Sequence, residues 1–400
     1  MAVVLTPPIS KSDAQRALVL SRIVGPSSVH PERSRGMSLL DDPDEDLPAD
    51  VRVLRAGLDT LAAGGTDADC HDGGAPFRFL MTQVAVTPGA HLRLHGTSRL
   101  AERPHAALFD ALAPAATRGT GTLLADVRAL DPLPTSFTVV SDASSQYASS
   151  LLLGAASIAH RTNRPCSVRV EGARVSDGYL QMTVRWLRAA GFDVRGDSTF
   201  TVKWEAARPL PEIPGDWSSI GYLLLAAWAH DAQVARLSDP SLHPDGAIVA
   251  ALATVGLTVR DDGHVIGALH GALDVSAARF PDSIPTLAAL ACVLREPSRF
   301  TDCSILRGKE SDRADGIIAL ATAAGASAWL DRDTLHLVPS GQIASIVFDS
   351  RDDHRLAMAA GTLATLARVP LRLKGAGCVA KSFPGFWREL AKLGVPTPAE

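Results

Sequence analysis

Six times along the chain, a short polar or charged cluster runs straight into an Ala/Leu-rich segment. The starts are Ser12 (SDAQRALVLSRI), Ala75 (APFRFLMTQVAV), Ser144 (SSQYASSLLLGAA), Trp217 (WSSIGYLLLAAWA), Ser283 (SIPTLAALACVL) and Asp353 (DHRLAMAAGTLA), so successive starts lie 63, 69, 73, 66 and 70 residues apart. Recurrence at that period implies one supersecondary unit used repeatedly, not unrelated elements around a single core. Each cluster reads as a helix N-terminus, where unpaired N–H groups and the positive end of the helix dipole favour anions. Several clusters also carry Lys or Arg, so the chain is organised to gather anionic ligands.

Four hundred residues exceed one small core, and two domains of roughly 200 residues are the natural division. A hydrophobic content of 46% with 20% charged residues marks an ordered globular chain, and a net charge of −4 argues against a nucleic-acid scaffold. The cysteines (Cys70, Cys166, Cys292, Cys303 and Cys378) include no CxxC pair, which points to reduced thiols in a cytoplasmic protein. The opening MAVVLTPPISKSD lacks a basic region followed by an apolar stretch, so no signal peptide is expected. No apolar run approaches the roughly 20 residues that span a bilayer.

Alternating stretches between the helices read as strands: 91–96, 166–172, 192–196, 200–205, 257–263, 327–331 and 334–341. Second helical segments at 179–191 and 314–326 run up to or through a glycine, a common helix stop. Each unit therefore reads as strands plus two helices, repeated six times, and three units per domain make two similar α/β halves. The three prolines within 206–216 mark the boundary, and 6–10 marks a second crossing. The domains expected are 10–213 and 214–400, the latter joined by residues 1–9. The Pro- and acid-rich segment 26–50 reads as a surface loop.

The clusters carry definite chemistry. Arg16 falls one turn beyond Ser12 on the same helix face, with Lys11 at the mouth, a grip suited to phosphate or carboxylate; a plain N-cap beside a solvated Lys has the same sequence. Gly73 and Gly74, after Asp72 and before a helix, let backbone approach a ligand closely. Ser144, Ser145 and Gln146 offer donors at another helix start, and Ser176 and Tyr179 add hydroxyls at a comparable one. The run Lys309-Glu310-Ser311-Asp312-Arg313 pairs cations with a carboxylate able to transfer a proton, and Asp282 is either a second acid/base group or a cap. No metal site is expected: His91 and His95 are spaced i, i+4, but on a strand.

Taken in order, SKSDAQR (10–16), DGGAPFR (72–78), RLAERP (99–104), SSQ (144–146), SDGY (176–179), PD (281–282), KESDR (309–313), DHR (353–355) and KSFP (381–384) resemble the 5-enolpyruvylshikimate-3-phosphate synthases. The resemblance implies an α/β enolpyruvyl transferase fold: two similar domains, each of three βαβαββ-type units, with the active site in the interdomain cleft. It implies transfer of the enolpyruvyl group of phosphoenolpyruvate to the 5-hydroxyl of shikimate 3-phosphate, releasing phosphate, in aromatic amino acid biosynthesis by the shikimate pathway. Lys11 would contact both substrates. Ser12, Arg16, Ser144, Ser145, Ser176 and Tyr179 would hold shikimate 3-phosphate, Lys309 would help, and Gln146 would lie between the two ligands. Gly74, Arg103, Arg313, Arg355 and Lys381 would hold phosphoenolpyruvate. Asp282 would contact the shikimate hydroxyls and take the 5-hydroxyl proton, and Glu310 would protonate the enol carbon. The catalytic set is thus Lys11, Asp282 and Glu310. The family's chemistry requires no cofactor or metal. The expected partners are small-molecule substrates only, without nucleic acid or membrane, on a monomeric protein. Cations drawn from both halves would repel one another until anions bind, which makes closure ligand-driven.

The chain departs from the family pattern in places. Asp72-Gly73-Gly74-Ala75 stands where Asn-Ala-Gly-Thr is usual, which puts a carboxylate beside an anion site and removes a hydroxyl. Ile305 replaces an Asn that often touches shikimate, Ile9-Ser10 replaces Gly-Ser, and the stretch between Leu61 and Asp72 is short for the usual strand hairpin. Two other readings compete: the sister transferase acting on UDP-N-acetylglucosamine, whose cysteine loop is not evident here, and a homologue that binds phosphorylated metabolites without turnover.

Overall fold

The computed structural model describes residues 3–25, 47–173, 176–396 and 398. The chain divides into two units, one formed by Met1–Ser10, Glu45–Pro48 and Pro214–Glu400, the other by Lys11–Asp44 and Ala49–Ile213. It begins in the first unit with β1 (Val4–Leu5) and enters the second with α1 (Lys11–Val24) and α2 (Ala49–Ala62). A βαβαββ module follows: β2 (Asp67–Asp69), α3 (Gly74–Ala85), β3 (His91–His95), the short α4 (Ser98–Glu102) and α5 (Ala106–Ala111), then β4 (Ala116–Arg118) and β5 (Leu123–Arg128). A second module repeats it with β6 (Ser136–Val140), α6 (Ser145–Thr162), β7 (Cys166–Glu171), α7 (Asp177–Ala190), β8 (Phe192–Arg195) and β9 (Thr199–Trp204).

The chain then returns to the first unit through α8 (Trp217–His230), β10 (Gln233–Val234), α9 (Ile248–Thr254), β11 (Leu257–Val259) and β12 (Val265–Gly267). A third complete module comprises β13 (Asp274–Ser276), α10 (Ile284–Ala291), β14 (Ser298–Thr301), α11 (Arg313–Ala323), β15 (Ser327–Asp331) and β16 (Thr334–Val338). The last elements are β17 (Ile346–Asp349), α12 (His354–Ala367), β18 (Leu371–Lys374) and α13 (Phe386–Ala391).

The three complete modules share one topology, with sheet orders β2-β3-β5-β4, β6-β7-β9-β8 and β13-β14-β16-β15. In each, the first two strands are parallel across a helix, and a hairpin then adds its last strand antiparallel in the middle. In the first unit, β1 pairs parallel to β10, so the chain's opening strand lies beside the one that follows α8.

All six polar-to-apolar clusters begin helices: α1, α3, α6, α8, α10 and α12. Within one unit α1, α3 and α6 pack on one another, and within the other α8, α10 and α12 do the same. That arrangement explains their Ala/Leu-rich sequences, since a helix surrounded by other elements buries nearly its whole circumference. The strand readings stand where alternation is clean. In β7, Cys166, Val168 and Val170 are buried while Arg169 and Glu171 are exposed. The stretch 257–263 forms a strand only over Leu257–Val259. α7 stops at Gly191, whose φ of 103° a β-carbon would oppose.

Two expectations need correction. Among the described residues, α1 and α2 have no sheet of their own, so the full pattern of strands plus two helices does not recur six times. Of the segment 26–50 read as a loop, 26–46 lie outside the described residues, and Ala49 and Asp50 already belong to α2.

Candidate active site

In the unit built on α8, α10 and α12, charged side chains gather around Arg313. Its position follows from close helix packing: a β-carbon on Gly316, one turn along α11, would lie 2.3 Å from Leu356 Cδ1, so glycine lets α11 approach α12. Arg313 opens α11, and Asp353 and Arg355 sit at the start of α12. The buried guanidinium of Arg313 divides its donors among three carboxylates. Nε donates to Asp353 Oδ2 at 2.9 Å, Nη1 to Asp282 Oδ1 at 2.7 Å and Nη2 to Glu310 Oε2 at 2.6 Å. Burial would weaken its charge, but Asp353, Glu310 and Asp282 raise its pKa well above the usual value.

Asp282 does not act as a cap. Besides Arg313 it faces Lys309 Nζ at 3.6 Å and Arg355 Nη2 at 3.6 Å. Burial alone would raise its pKa, but Lys309, Arg313 and Arg355 outweigh that and hold the carboxyl well below its ordinary range. Lys381 Nζ lies 3.5 Å from Glu310 Oε1. Arg355 is anchored from behind: its Nη1 donates to the Ser218 carbonyl at 2.6 Å, and its N–H donates to Asp353 Oδ1 at 2.9 Å, the cap of α12. Burial opposes its charge, while Asp282 and Asp216 sustain it. Lys309, Arg313, Arg355 and Lys381 thus interlock with Asp282, Glu310 and Asp353 in one network, four cations against three carboxylates.

The other unit holds a different set, at the starts of its own repeated helices. Lys11 begins α1 and pairs with Asp50 Oδ2 at 2.9 Å. Arg16, one turn on, is buried. Its Nε donates to Thr183 Oγ1 at 2.7 Å, Nη1 to the Ser12 carbonyl at 2.7 Å, and Nη2 to the Tyr179 carbonyl at 2.9 Å and to Ser149 Oγ at 3.4 Å. These are neutral acceptors, and burial pushes its pKa down to about 10 in spite of Asp13. An anion placed against such a desolvated cation would restore what burial removes. Asp13 Oδ1 accepts from Trp186 Nε1 at 2.6 Å, which ties α1 to α7.

Arg103 lies against Gly74: a β-carbon there would be 2.7 Å from Arg103 Nη1. Asp72 accepts a hydrogen bond from the Thr97 hydroxyl, and that hydroxyl accepts from Leu100 N–H to cap α4, so Asp72 braces the segment leading to Arg103. Ser144 caps α6 through Gln146 N–H at 3.2 Å, and buried Ser145 is the first helical residue. The Gln146 side-chain oxygen accepts from the buried guanidinium of Arg78. Ser176 precedes α7 in a left-handed conformation (φ 57°) and makes no side-chain cap. The predicted residues therefore form two sets, each held within its own unit. Ile305 packs on the apolar core of its unit, while His91 and His95 pair with Asp126 and Asp67.

Sequence reasoning passed over Asp50, which lay in a segment read as loop. It also passed over Arg78, although its motif was singled out, and Tyr147, which directly follows the SSQ motif. Only the partners of these residues mark them out.

Two units with the same βαβαββ module and cation-bearing helix starts define an α/β protein of the enolpyruvyl transferase fold. An EPSP synthase from Acinetobacter baumannii superposes with a TM-score of 0.66 at 18% identity, covering 99% of this chain and 96% of that one. The enolpyruvyl transferase NikO from Streptomyces tendae superposes with a TM-score of 0.63 at 16% identity, covering 98% and 95%. The chain belongs to the EPSP synthase (3-phosphoshikimate 1-carboxyvinyltransferase) family, whose sequence model matches residues 44–390. Curated 3-phosphoshikimate 1-carboxyvinyltransferases from Methanopyrus kandleri and Methanosphaerula palustris are 31% and 32% identical to it. Each alignment covers 98% of this chain and 95% or 96% of the relative.

Proposed function

We propose that this protein transfers the enolpyruvyl group of phosphoenolpyruvate to the 5-hydroxyl of shikimate 3-phosphate and releases phosphate. The observation that carries the reading is the Arg313 network, which puts two carboxylates with different surroundings among four cations. Both substrates are phosphorylated carboxylates, and Arg and Lys are the side chains that neutralise and orient such groups. In this reading Glu310 gives a proton to the methylene carbon while the 5-hydroxyl oxygen bonds to the neighbouring carbon and Asp282 takes the hydroxyl proton. The intermediate then loses a methyl proton and the carbon–oxygen bond to phosphate breaks, which regenerates the enol ether. Each proton transfer contributes about 10²–10⁴ in rate.

Asp282, held by three cations, is a weak base before substrate binds. Substrate anions that draw Lys309, Arg313 and Arg355 toward themselves raise its proton affinity when the reaction needs it. In the other unit, Ser12, Arg16, Ser144, Ser145, Ser176 and Tyr179 serve shikimate 3-phosphate, Gly74 and Arg103 serve phosphoenolpyruvate, and Lys11 and Gln146 serve both. Both sets act in the same turnover. We further propose a cytoplasmic monomer; the five free cysteines, four of them buried, support a reducing compartment.

Incubating the protein with both substrates should release phosphate, and either substrate should raise the melting temperature by linkage. Absence of release despite calorimetric binding of shikimate 3-phosphate would establish a binding protein instead. Gly74→Ala tests the Arg103 assignment, since the added methyl displaces the guanidinium. The KM for phosphoenolpyruvate should rise about tenfold or more, the loss of one charge-assisted contact, with the KM for shikimate 3-phosphate and the melting temperature unchanged.

A further inference from the structure

The Tyr147 hydroxyl has no part in the reaction just described, yet it is bonded into the segment that carries Arg103. We propose that Tyr147 is a positioning residue for the phosphoenolpyruvate grip: together with Arg78 it clamps the Pro104 carbonyl and so fixes Arg103 over Gly74. This rests on the functional reading above and names a residue that reading leaves unassigned.

Arg103 leaves α4 in an extended conformation (φ −69°, ψ 150°), as a residue before proline must. On its N-terminal side the chain is pinned at Leu100, whose carbonyl accepts from Arg103 N–H at 3.2 Å and from His105 Nε2 at 2.8 Å. Burial pushes the His105 pKa down to about 3, so its ring stays neutral, with the proton on the nitrogen that donates. On the C-terminal side Pro104 has no N–H, and its carbonyl is the one main-chain group that can hold it. That carbonyl accepts two hydrogen bonds, from Tyr147 Oη at 2.5 Å and from Arg78 Nη2 at 2.9 Å.

Tyr147 also supports Arg78 itself. The Arg78 guanidinium lies over the Tyr147 ring, 5.1 Å from its centroid, and donates to the Gln146 side chain. The backbone beneath is fixed, since Ser150 Oγ of α6 donates to the Arg78 carbonyl of α3 at 2.7 Å. One aromatic side chain thus stands behind both Arg103 and Gln146. Burial raises the phenol pKa above its usual value, so the hydroxyl remains a donor at neutral pH.

The test is Tyr147→Phe, which keeps the ring under Arg78 and removes only the hydroxyl. The KM for phosphoenolpyruvate should rise about five- to tenfold, as for one lost hydrogen bond. The KM for shikimate 3-phosphate and the melting temperature should stay as in the parent. In an Arg103→Lys background the same change should have a clearly smaller effect, because the two residues act through one geometry. An unchanged KM for phosphoenolpyruvate, an equal rise for both substrates, additivity with Arg103→Lys, or loss of the fold in Tyr147→Phe would each overturn the proposal. If the parent protein itself releases no phosphate, the functional reading fails and takes this one with it; if the parent turns over while Tyr147→Phe matches it, this inference alone fails.

Discussion

Arg313→Ala is expected to eliminate measurable phosphate release and to lower the melting temperature by about 10 °C. The side chain is buried and spans Asp282, Glu310 and Asp353 at 2.6–2.9 Å. Removing it leaves Asp353, itself fully buried, without its ion-pair partner, and removing one member of a buried pair costs about 3–5 kcal/mol. Turnover suffers for a separate reason. Loss of one preorganised donor to developing charge typically costs about 10²–10³ in rate, and here the two proposed proton-transfer carboxylates lose their common anchor as well. Arg313→Lys separates the two effects: a single ammonium preserves charge but cannot span three carboxylates, so stability should recover in part while phosphate release stays low. Full activity in Arg313→Lys, measured by phosphate release, would refute the bridging role.

Lys11→Ala should lower kcat/KM by about 10²–10³ with a smaller loss of stability. Lys11 opens α1 and its pairing with Asp50 is partly exposed, so its structural contribution is less than that of Arg313. The double variant Lys11→Ala, Asp50→Asn tests this directly. Neutralising Asp50 removes the carboxylate left without its cation and should restore the melting temperature, while phosphate release should stay as low as in the single variant. Activity returning with stability would mean that Lys11 serves the fold alone. Because Lys11 and Arg313 belong to different units, parallel losses in the two variants would also support the proposal that both sets serve one turnover.

The legible part of the molecule was its repetition. Each of the six clusters begins a helix, because a polar start followed by a long apolar run specifies a buried helix from local sequence, and at α6 and α12 Ser144 and Asp353 cap it as well. Strands such as His91–His95 and Thr334–Val338 declared themselves through a period of two. Asp282 shows where this reasoning stopped. As a residue before a helix it reads equally as cap or acid, and only the arrival of Arg313 Nη1 from another helix distinguishes them. Arg78 and Tyr147 are similar: nothing in their immediate sequence names a partner, and Pro104, the acceptor they share, is 26 and 43 residues away.

The sequence by itself determined the α/β repeat, the helix starts and the supply of cations and carboxylates, since these depend on interactions within a few residues. Which cation meets which carboxylate, that Asp72 braces Thr97, and that Asp50 answers Lys11 were decided only by tertiary packing. Those pairings join residues far apart in the chain, and close helix contacts such as that of Gly316 with Leu356 set the distances on which charge interactions depend.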